Sequence, residues 1–346
     1  MEKKELVIAD PYPQKLERIF TEENKRRLIG LVDLKESAHD QMSEDELNRY
    51  LGDAVAIIGQ TSMPREQLDK ALRLKAIFNV EGNFYQNIDY ETCFKRNIYV
   101  LNCGAAYAEA VAEMALCFAL DLARGVTRED RRFREGRERY VLEGNKDAIM
   151  LSGSTVGMIG FGLLGRSLRR LLEPFHCRIL AYDPWLPDNL LRECGCISTT
   201  LEELLSTSRF IFVLAGVTSE NQGFIGSAEF DLIKPDSNFI LVSRAAVVDF
   251  DEFVKRVAGG QFNGATDVFP SEPMPKDHRI RKVDNMLLSP HRAGGIPQAF
   301  HKIGEMILDD LGLILKGLPP VTMQHARLET VGKLYSRPVE KHEKKD

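Results

Sequence analysis

Val156-Gly157-Met158-Ile159-Gly160-Phe161-Gly162-Leu163-Leu164-Gly165 is an apolar run that enters a glycine triplet and leaves it as a helical pattern. Gly160, Gly162 and Gly165 stand at G-x-G-x-x-G spacing, and Leu168, Leu171 and Leu172 continue along one side of the following helix. In a strand-to-helix turn the three glycines do separate jobs: a tight turn, a close approach of backbone to a diphosphate, and tight helix-to-strand packing. The opening residues of the helix, Leu163 and Leu164 among them, then offer unpaired N–H groups to the phosphates. A triplet alone is a weak signal, because turns are rich in glycine. Here the flanking strand and helix support it, as does a second apolar run ending in Tyr182-Asp183-Pro184. Asp183 lies 23 residues after Gly160, where an acid accepts hydrogen bonds from the adenosine ribose hydroxyls and repels a 2′-phosphate, so NAD is expected rather than NADP. The plainer alternative is an aspartate that caps the turn before Pro184.

Outward from this signature, short apolar runs alternate with helical stretches. Strands are expected at 155–159, 178–182, 210–214, 238–242, 264–268 and 286–288, with helices at 164–173, 201–205, 227–232 and 249–258. That series predicts a doubly wound parallel sheet of the mononucleotide-binding kind. Towards the N-terminus a second series has strands at 6–9, near Leu31, at 54–58, 75–80 and 97–101, and helices at 14–28, 43–51 and 66–74. Two helical stretches, 107–124 and 128–139, join the series, and a last helix at 298–315 returns the chain to the first of them. The expected fold is therefore α/β: a Rossmann domain, 103–299 with a helical arm at 105–140, inserted in a discontinuous α/β domain of 1–102 plus 300–346. A chain of 346 residues also exceeds what one core usually supports.

Composition narrows the function classes. A formal charge of −5, with Lys and Arg scattered among Asp and Glu, supplies no positive field for a phosphate backbone, so no nucleic-acid partner is expected. The N-terminal lysines precede too short an apolar run for a signal peptide, and the apolar stretch 105–123 carries Glu109, Glu113 and Asp121, which suits a buried helix and not a membrane span. Six cysteines without a paired framework read as reduced thiols of a cytoplasmic protein, and no metal site is expected, even at Cys194-Gly195-Cys196. The stretch from Lys333 to Asp346 reads as a charged surface tail.

Three further motifs follow in order: Ile240-Leu241-Val242-Ser243-Arg244-Ala245, then Asp267-Val268-Phe269-Pro270-Ser271-Glu272-Pro273, then Ser289-Pro290-His291. With the glycine signature they make the chain resemble the NAD-dependent D-isomer-specific 2-hydroxyacid dehydrogenases, most strongly from Asn102 to about Gly295. The resemblance implies a catalytic set of Arg244, Glu272 and His291. It also implies a flavodoxin-like substrate domain, cofactor contacts from Thr218, Ser243 and Asp267, a homodimer, and a small 2-oxo or 2-hydroxy acid as substrate. The chemistry asks for the same residue types. Hydride transfer to a 2-oxo acid leaves negative charge on the carbonyl oxygen, which imidazole can protonate near neutral pH. A carboxylate beside the ring fixes its tautomer and favours its charged form. A guanidinium pairs with the substrate carboxylate through a planar fork that lysine lacks.

Within the N-terminal series, Glu81-Gly82-Asn83-Phe84-Tyr85-Gln86-Asn87-Ile88-Asp89 corresponds to the family loop whose backbone N–H groups bind the substrate carboxylate, which makes Asn83 and Phe84 the candidates here. The family usually has glycine at Phe84, aspartate at Gln86 and a small residue at Glu81, so a phenyl ring and an extra carboxylate are expected to reshape the lip of the pocket. Ala245 replaces a usual glycine and Gly216 a usual proline, while Arg292 adds a cation next to His291. Trp185 is expected to pack against the surface. Formate dehydrogenase, a relative with glutamine in place of the acid, is disfavoured by Glu272. An NAD-binding interaction protein resembling the C-terminal-binding corepressors, or a member that has lost its substrate, are the alternatives of a different class.

Overall fold

The computed structural model describes residues 4–37 and 39–334. The first series comprises β1 (Leu6–Asp10), α1 (Leu16–Ile19), α2 (Glu22–Leu31), β2 (Asp33–Glu36) and α3 (Glu44–Leu51). It continues with β3 (Ala54–Gly59), α4 (Arg65–Lys70), β4 (Ala76–Asn79), α5 (Tyr90–Lys95) and β5 (Tyr99–Asn102). Three helices follow: α6 (Gly104–Arg124), α7 (Val126–Arg134) and α8 (Val141–Gly144). The second series is β6 (Thr155–Ile159), α9 (Leu163–Leu172), β7 (Arg178–Tyr182), α10 (Asp188–Glu193), β8 (Ile197–Ser198), α11 (Leu201–Thr207) and β9 (Phe210–Val213). Next come α12 (Ser227–Asp231), β10 (Asn238–Leu241), α13 (Phe250–Ala258), β11 (Asn263–Thr266) and β12 (Met286–Leu288). The described chain closes with α14 (Pro297–Leu315), β13 (Gln324–His325) and α15 (Leu328–Val331).

Two compact units result, one up to Tyr107 and from Gly295 onward, the other Ala108–Gly294. The divisions fall inside α6 and ahead of α14, a few residues from the expected boundaries. In the discontinuous unit the sheet order is β13-β5-β4-β3-β1-β2, all parallel except β13, which runs antiparallel to β5. Numbered within the unit, β1 to β5 lie in the order 2-1-3-4-5 of flavodoxin-like sheets. In the other unit seven parallel strands lie in the order β12-β11-β10-β9-β6-β7-β8. This is the Rossmann order, with its reversal between β6 and β9. The expected doubly wound α/β architecture stands, with a short seventh strand, β8, added at one edge.

Parallel strands covered by helices on both faces are apolar throughout, and β3 is buried at all six positions. One face of its sheet packs Val7, Phe78 and Leu101 against Ile303, Ile307 and Leu311 of α14; the other packs Ile8, Ile57 and Ile77 against Leu47 and Leu51 of α3. Phe230, Phe239, Phe253 and Phe262 form an aromatic cluster in the second unit.

Two expectations shift. The strand placed near Leu31 is the last turn of α2, a helix started by the Thr21 hydroxyl, which accepts from Asn24 N at 3.2 Å. The strand begins only at Asp33. The single helix expected at 14–28 is two, α1 and α2. The charged tail lies, beyond Leu334, outside the described residues. No helix among the described residues is long and apolar enough to cross a membrane.

Candidate active site

The glycine turn between β6 and α9 has the shape a diphosphate needs. Gly160 sits at φ 88°, and a Cβ there would lie 2.6 Å from Ala215 N, at the end of β9. A Cβ on Gly165 would meet Gly160 O at 2.9 Å, so this glycine lets the helix close on the turn. Gly162 has nothing within 4 Å of its Cβ position, which leaves the approach to the first turn of α9 open. At the tip of β7, the Asp183 carboxylate accepts Phe161 N at 2.8 Å on one oxygen and Trp185 N at 3.0 Å on the other. Each oxygen keeps a lone pair for a ribose hydroxyl. Trp185 is 43% exposed, so more than half of its surface is covered by the protein.

On the other side of the reversal, Ser243 follows β10 with its Oγ buried and without a hydrogen-bond partner, an acceptor or donor held ready at the rim. Thr218 is held in a turn, with its N–H on Asn221 Oδ1 at 2.7 Å, while Asn221 Nδ2 donates to Gly216 O at 2.8 Å. Glycine turn, strand-end acid and this rim together fit a dinucleotide. Ala245 opens a short 3₁₀ turn (Ala245–Val247) and lacks a left-handed φ, so no backbone strain calls for the glycine usual there.

Glu272 and His291 meet. His291 Nδ1 lies 2.6 Å from Glu272 Oε2, and Glu272 Oε1 accepts Phe269 N at 3.1 Å. Burial is the largest single influence on the Glu272 carboxyl and works to raise its pKa. The hydrogen bond and charge of His291, the Phe269 N–H and the charge of Arg244 outweigh it and hold the carboxyl below its ordinary range. With Nδ1 tied to a carboxylate, Nε2 is the atom left to exchange a proton. Among the described residues the Arg244 guanidinium makes one hydrogen bond, from Nη1 to Ser243 O at 2.8 Å, and leaves most of its donors available.

Asp267 has a structural role besides the cofactor contact expected of it. It is 1% exposed; its Oδ1 accepts Ser289 Oγ at 2.5 Å and Arg292 N at 2.9 Å, and its Oδ2 accepts Ala293 N at 2.9 Å. Its backbone carbonyl accepts His291 N at 2.8 Å. Most of the acceptor capacity that the resemblance assigns to a nicotinamide amide is thus spent on the turn carrying His291. Sequence reasoning passed over Ser289 in this network; a hydroxyl two residues before the histidine was the available signal.

In the discontinuous unit, Phe84 is 3% exposed and packs edge-on to Tyr90 at 6.5 Å, so its ring belongs to the core and does not form a lip. Gln86 adds no charge; its Nε2 donates to Val331 O and Leu334 O at 3.2 and 3.0 Å. Glu81 accepts Gln14 Nε2 at 2.8 Å. What the loop offers is backbone: among the described residues the N–H groups of Asn83 and Phe84 have no acceptor.

Residues 116–293 match the model of the D-isomer specific 2-hydroxyacid dehydrogenase NAD binding domain. The chain belongs to the D-isomer specific 2-hydroxyacid dehydrogenase family. It is 31% identical over 274 residues to a glyoxylate reductase of Thermococcus litoralis, covering 78% of this chain and 82% of that protein. A D-3-phosphoglycerate dehydrogenase of Archaeoglobus fulgidus is 30% identical over 282 residues, which is 80% of this chain. The match takes in about half of that longer relative, 53%. The crystal structure of a phosphoglycerate oxidoreductase from Rhizobium etli superposes with a TM-score of 0.86 at 42% identity, over 94% of this chain and 99% of that one.

Proposed function

We propose that this chain is an NAD-dependent oxidoreductase that moves a hydride between the cofactor and C2 of a small 2-oxo or 2-hydroxy acid, with D configuration at C2. The observation that carries the reading is the 2.6 Å His291–Glu272 pair, built in the same unit as a glycine turn and ribose acid that fit a dinucleotide. The nicotinamide supplies the hydride; this chain's residues bind, orient and move the proton. Arg244 pairs with the substrate carboxylate and polarises the carbonyl; in the discontinuous unit the N–H groups of Asn83 and Phe84 are donors of the kind a carboxylate takes. His291 Nε2 gives its proton to the carbonyl oxygen during reduction and takes it back in oxidation, and Glu272 compensates the charge on the ring. Asp183 favours NAD over NADP through its remaining lone pairs and its charge. The relatives' names, a glyoxylate reductase and phosphoglycerate oxidoreductases, supply the substrate class.

The same reading pairs two copies through the helical arm, where Phe133, Tyr140 and Leu142 are 61%, 68% and 76% exposed. It places the protein in the cytoplasm, where the free cysteines accord with a reducing setting.

The test is NADH oxidation by the purified chain against 2-oxo acids from glyoxylate to aromatic and dicarboxylic ones, with NADPH and a His291→Ala variant alongside. Turnover with NADH, lowered in the variant by about a hundredfold or more, is the expected result. NADH binding without turnover on any member would overturn the reading in favour of an interaction protein.

A further inference from the structure

Two residues of the 81–89 loop that depart from the family pattern, Phe84 and Gln86, both meet the segment that closes the described chain. The Phe84 ring is buried in one cluster with Ile88 and Tyr90 from its own side and with Ala326 and Val331 from the C-terminal segment, and Leu334 packs against that cluster. α15 lies against α5, the helix that Tyr90 opens. Gln86 supplies the polar half. Its Nε2 donates to Val331 O, in the last residue of α15, at 3.2 Å and to Leu334 O at 3.0 Å, so both amide protons go to the same segment. The usual aspartate could make neither bond, because an ionised carboxylate only accepts.

The segment is anchored independently of the loop. Ala326 N donates to Val100 O at 2.8 Å, β13 pairs with β5, and the Asp310 carboxylate accepts the N–H groups of Val321, Thr322 and Met323. The loop is fixed at its own two ends as well: Glu81 N donates to Asn79 Oδ1 at 2.8 Å, and the Tyr90 hydroxyl donates to Tyr85 O at 2.6 Å. Between those anchors lie Asn83 and Phe84, whose N–H groups have no acceptor among the described residues. Such donors bind an anion well when they are held in place beforehand, because a loop ordered only on binding loses affinity to the cost of its own ordering.

We infer that Gln86 is a positioning residue: through it the segment 326–334 holds the N–H groups of Asn83 and Phe84 ready for the substrate carboxylate. The inference rests on the oxidoreductase reading above and adds to its substrate loop a support remote in sequence.

The test is steady-state kinetics of the full chain with NADH and the 2-oxo acid of the panel above that turns over fastest, for wild type, Gln86→Ala, Gln86→Glu and Gln86→Lys. Gln86 is exposed, so these variants leave the core intact. In Gln86→Ala, KM for the 2-oxo acid is expected to rise about fivefold, with kcat and NADH affinity unchanged. Gln86→Glu does at least the same, since its carboxylate faces two carbonyl oxygens, and Gln86→Lys, which keeps a donor, recovers most of the loss. A second readout follows from reciprocity: if the segment favours binding at the loop, binding must favour the docked segment by the same factor. Hydrogen–deuterium exchange of peptides spanning 326–334 is therefore followed with NADH, with and without oxamate, an unreactive mimic of a 2-oxo acid. Oxamate is expected to slow that exchange in wild type and to have little effect in Gln86→Ala. A KM within twofold of wild type in Gln86→Ala, or exchange in wild type that bound oxamate leaves unchanged, overturns the inference alone and makes the Gln86 contact purely structural. Absence of turnover on every 2-oxo acid overturns the oxidoreductase reading and the inference together.

Discussion

His291 is the residue on which the proposed chemistry turns, and its backbone is unusual: φ 50° is a left-handed conformation that few residues other than glycine adopt. Its N–H on Asp267 O, and the three donors on the Asp267 carboxylate, hold it there. Replacing Asp267 by Asn exchanges one acceptor oxygen for a donor that faces N–H groups. The expected result is a kcat lower by about tenfold to a hundredfold with NADH affinity little changed. A variant that binds NADH poorly yet keeps kcat would return Asp267 to a nicotinamide contact. Glu272 gives a pH dependence of definite sign. Its carboxyl is held below the ordinary value of 4.5, so the stability that the ionised group contributes is complete above that value and disappears as pH falls through the lower, folded one. The stability difference between wild type and Glu272→Gln is expected to be present at pH 5 and to shrink as pH falls below 4.5. Convergence already between pH 6 and 5 would contradict this. The meeting of Glu272 with His291 was legible in sequence because each lies in a motif that follows a strand, β11 or β12. The burial of Phe84 was not, since only the Tyr90 ring and the surrounding core decide where that side chain goes.

At the scale of elements, the β6 turn–α9 segment is where sequence pattern and structure agree most closely. β6 and β7 have the bounds that their apolar runs suggested, because a run whose middle is buried on both faces carries its own signal. β2, Asp-Leu-Lys-Glu, has none: an edge strand needs no apolar face, and its ends are exposed. The four-residue and six-residue helices α8 and α10 are too short to show a period. α5 was equally hidden, although its cap, Asp89 accepting Thr92 N at 3.0 Å, has an ordinary sequence signature. Gly160→Ala tests the turn itself. A methyl at φ 88° and 2.6 Å from Ala215 N must displace backbone, so a destabilisation of about 1–3 kcal/mol and a marked loss of NADH affinity are expected by denaturation and fluorescence titration. Unchanged affinity would show that the turn does not carry the diphosphate.

Over the molecule as a whole, the described chain returns after β12 to the unit that holds β1 to β5, and one buried acid secures that return. Asp310 of α14 is fully buried, and its carboxylate accepts Val321 N, Thr322 N and Met323 N at 2.8, 2.9 and 2.8 Å just before β13 pairs with β5. Asp310→Ala leaves three N–H groups without that acceptor, for an expected loss of about 3 kcal/mol in denaturant unfolding. A change within 0.5 kcal/mol would mean that the segment is held by its apolar contacts instead. The discontinuous arrangement was legible because the helix at the end of the sequence follows the last Rossmann strand without a further strand series. The boundary residues were not, because α6 runs through the division. The central claim is hydride transfer to C2, and the most direct measurement is the fate of a label: NADH deuterated at C4 is incubated with the preferred 2-oxo acid, and the product is analysed by mass spectrometry and chiral chromatography. The account predicts one deuterium at C2 of a D-2-hydroxy acid, with its formation slowed in His291→Ala. Bound NADH that yields no labelled product with any 2-oxo acid would contradict it.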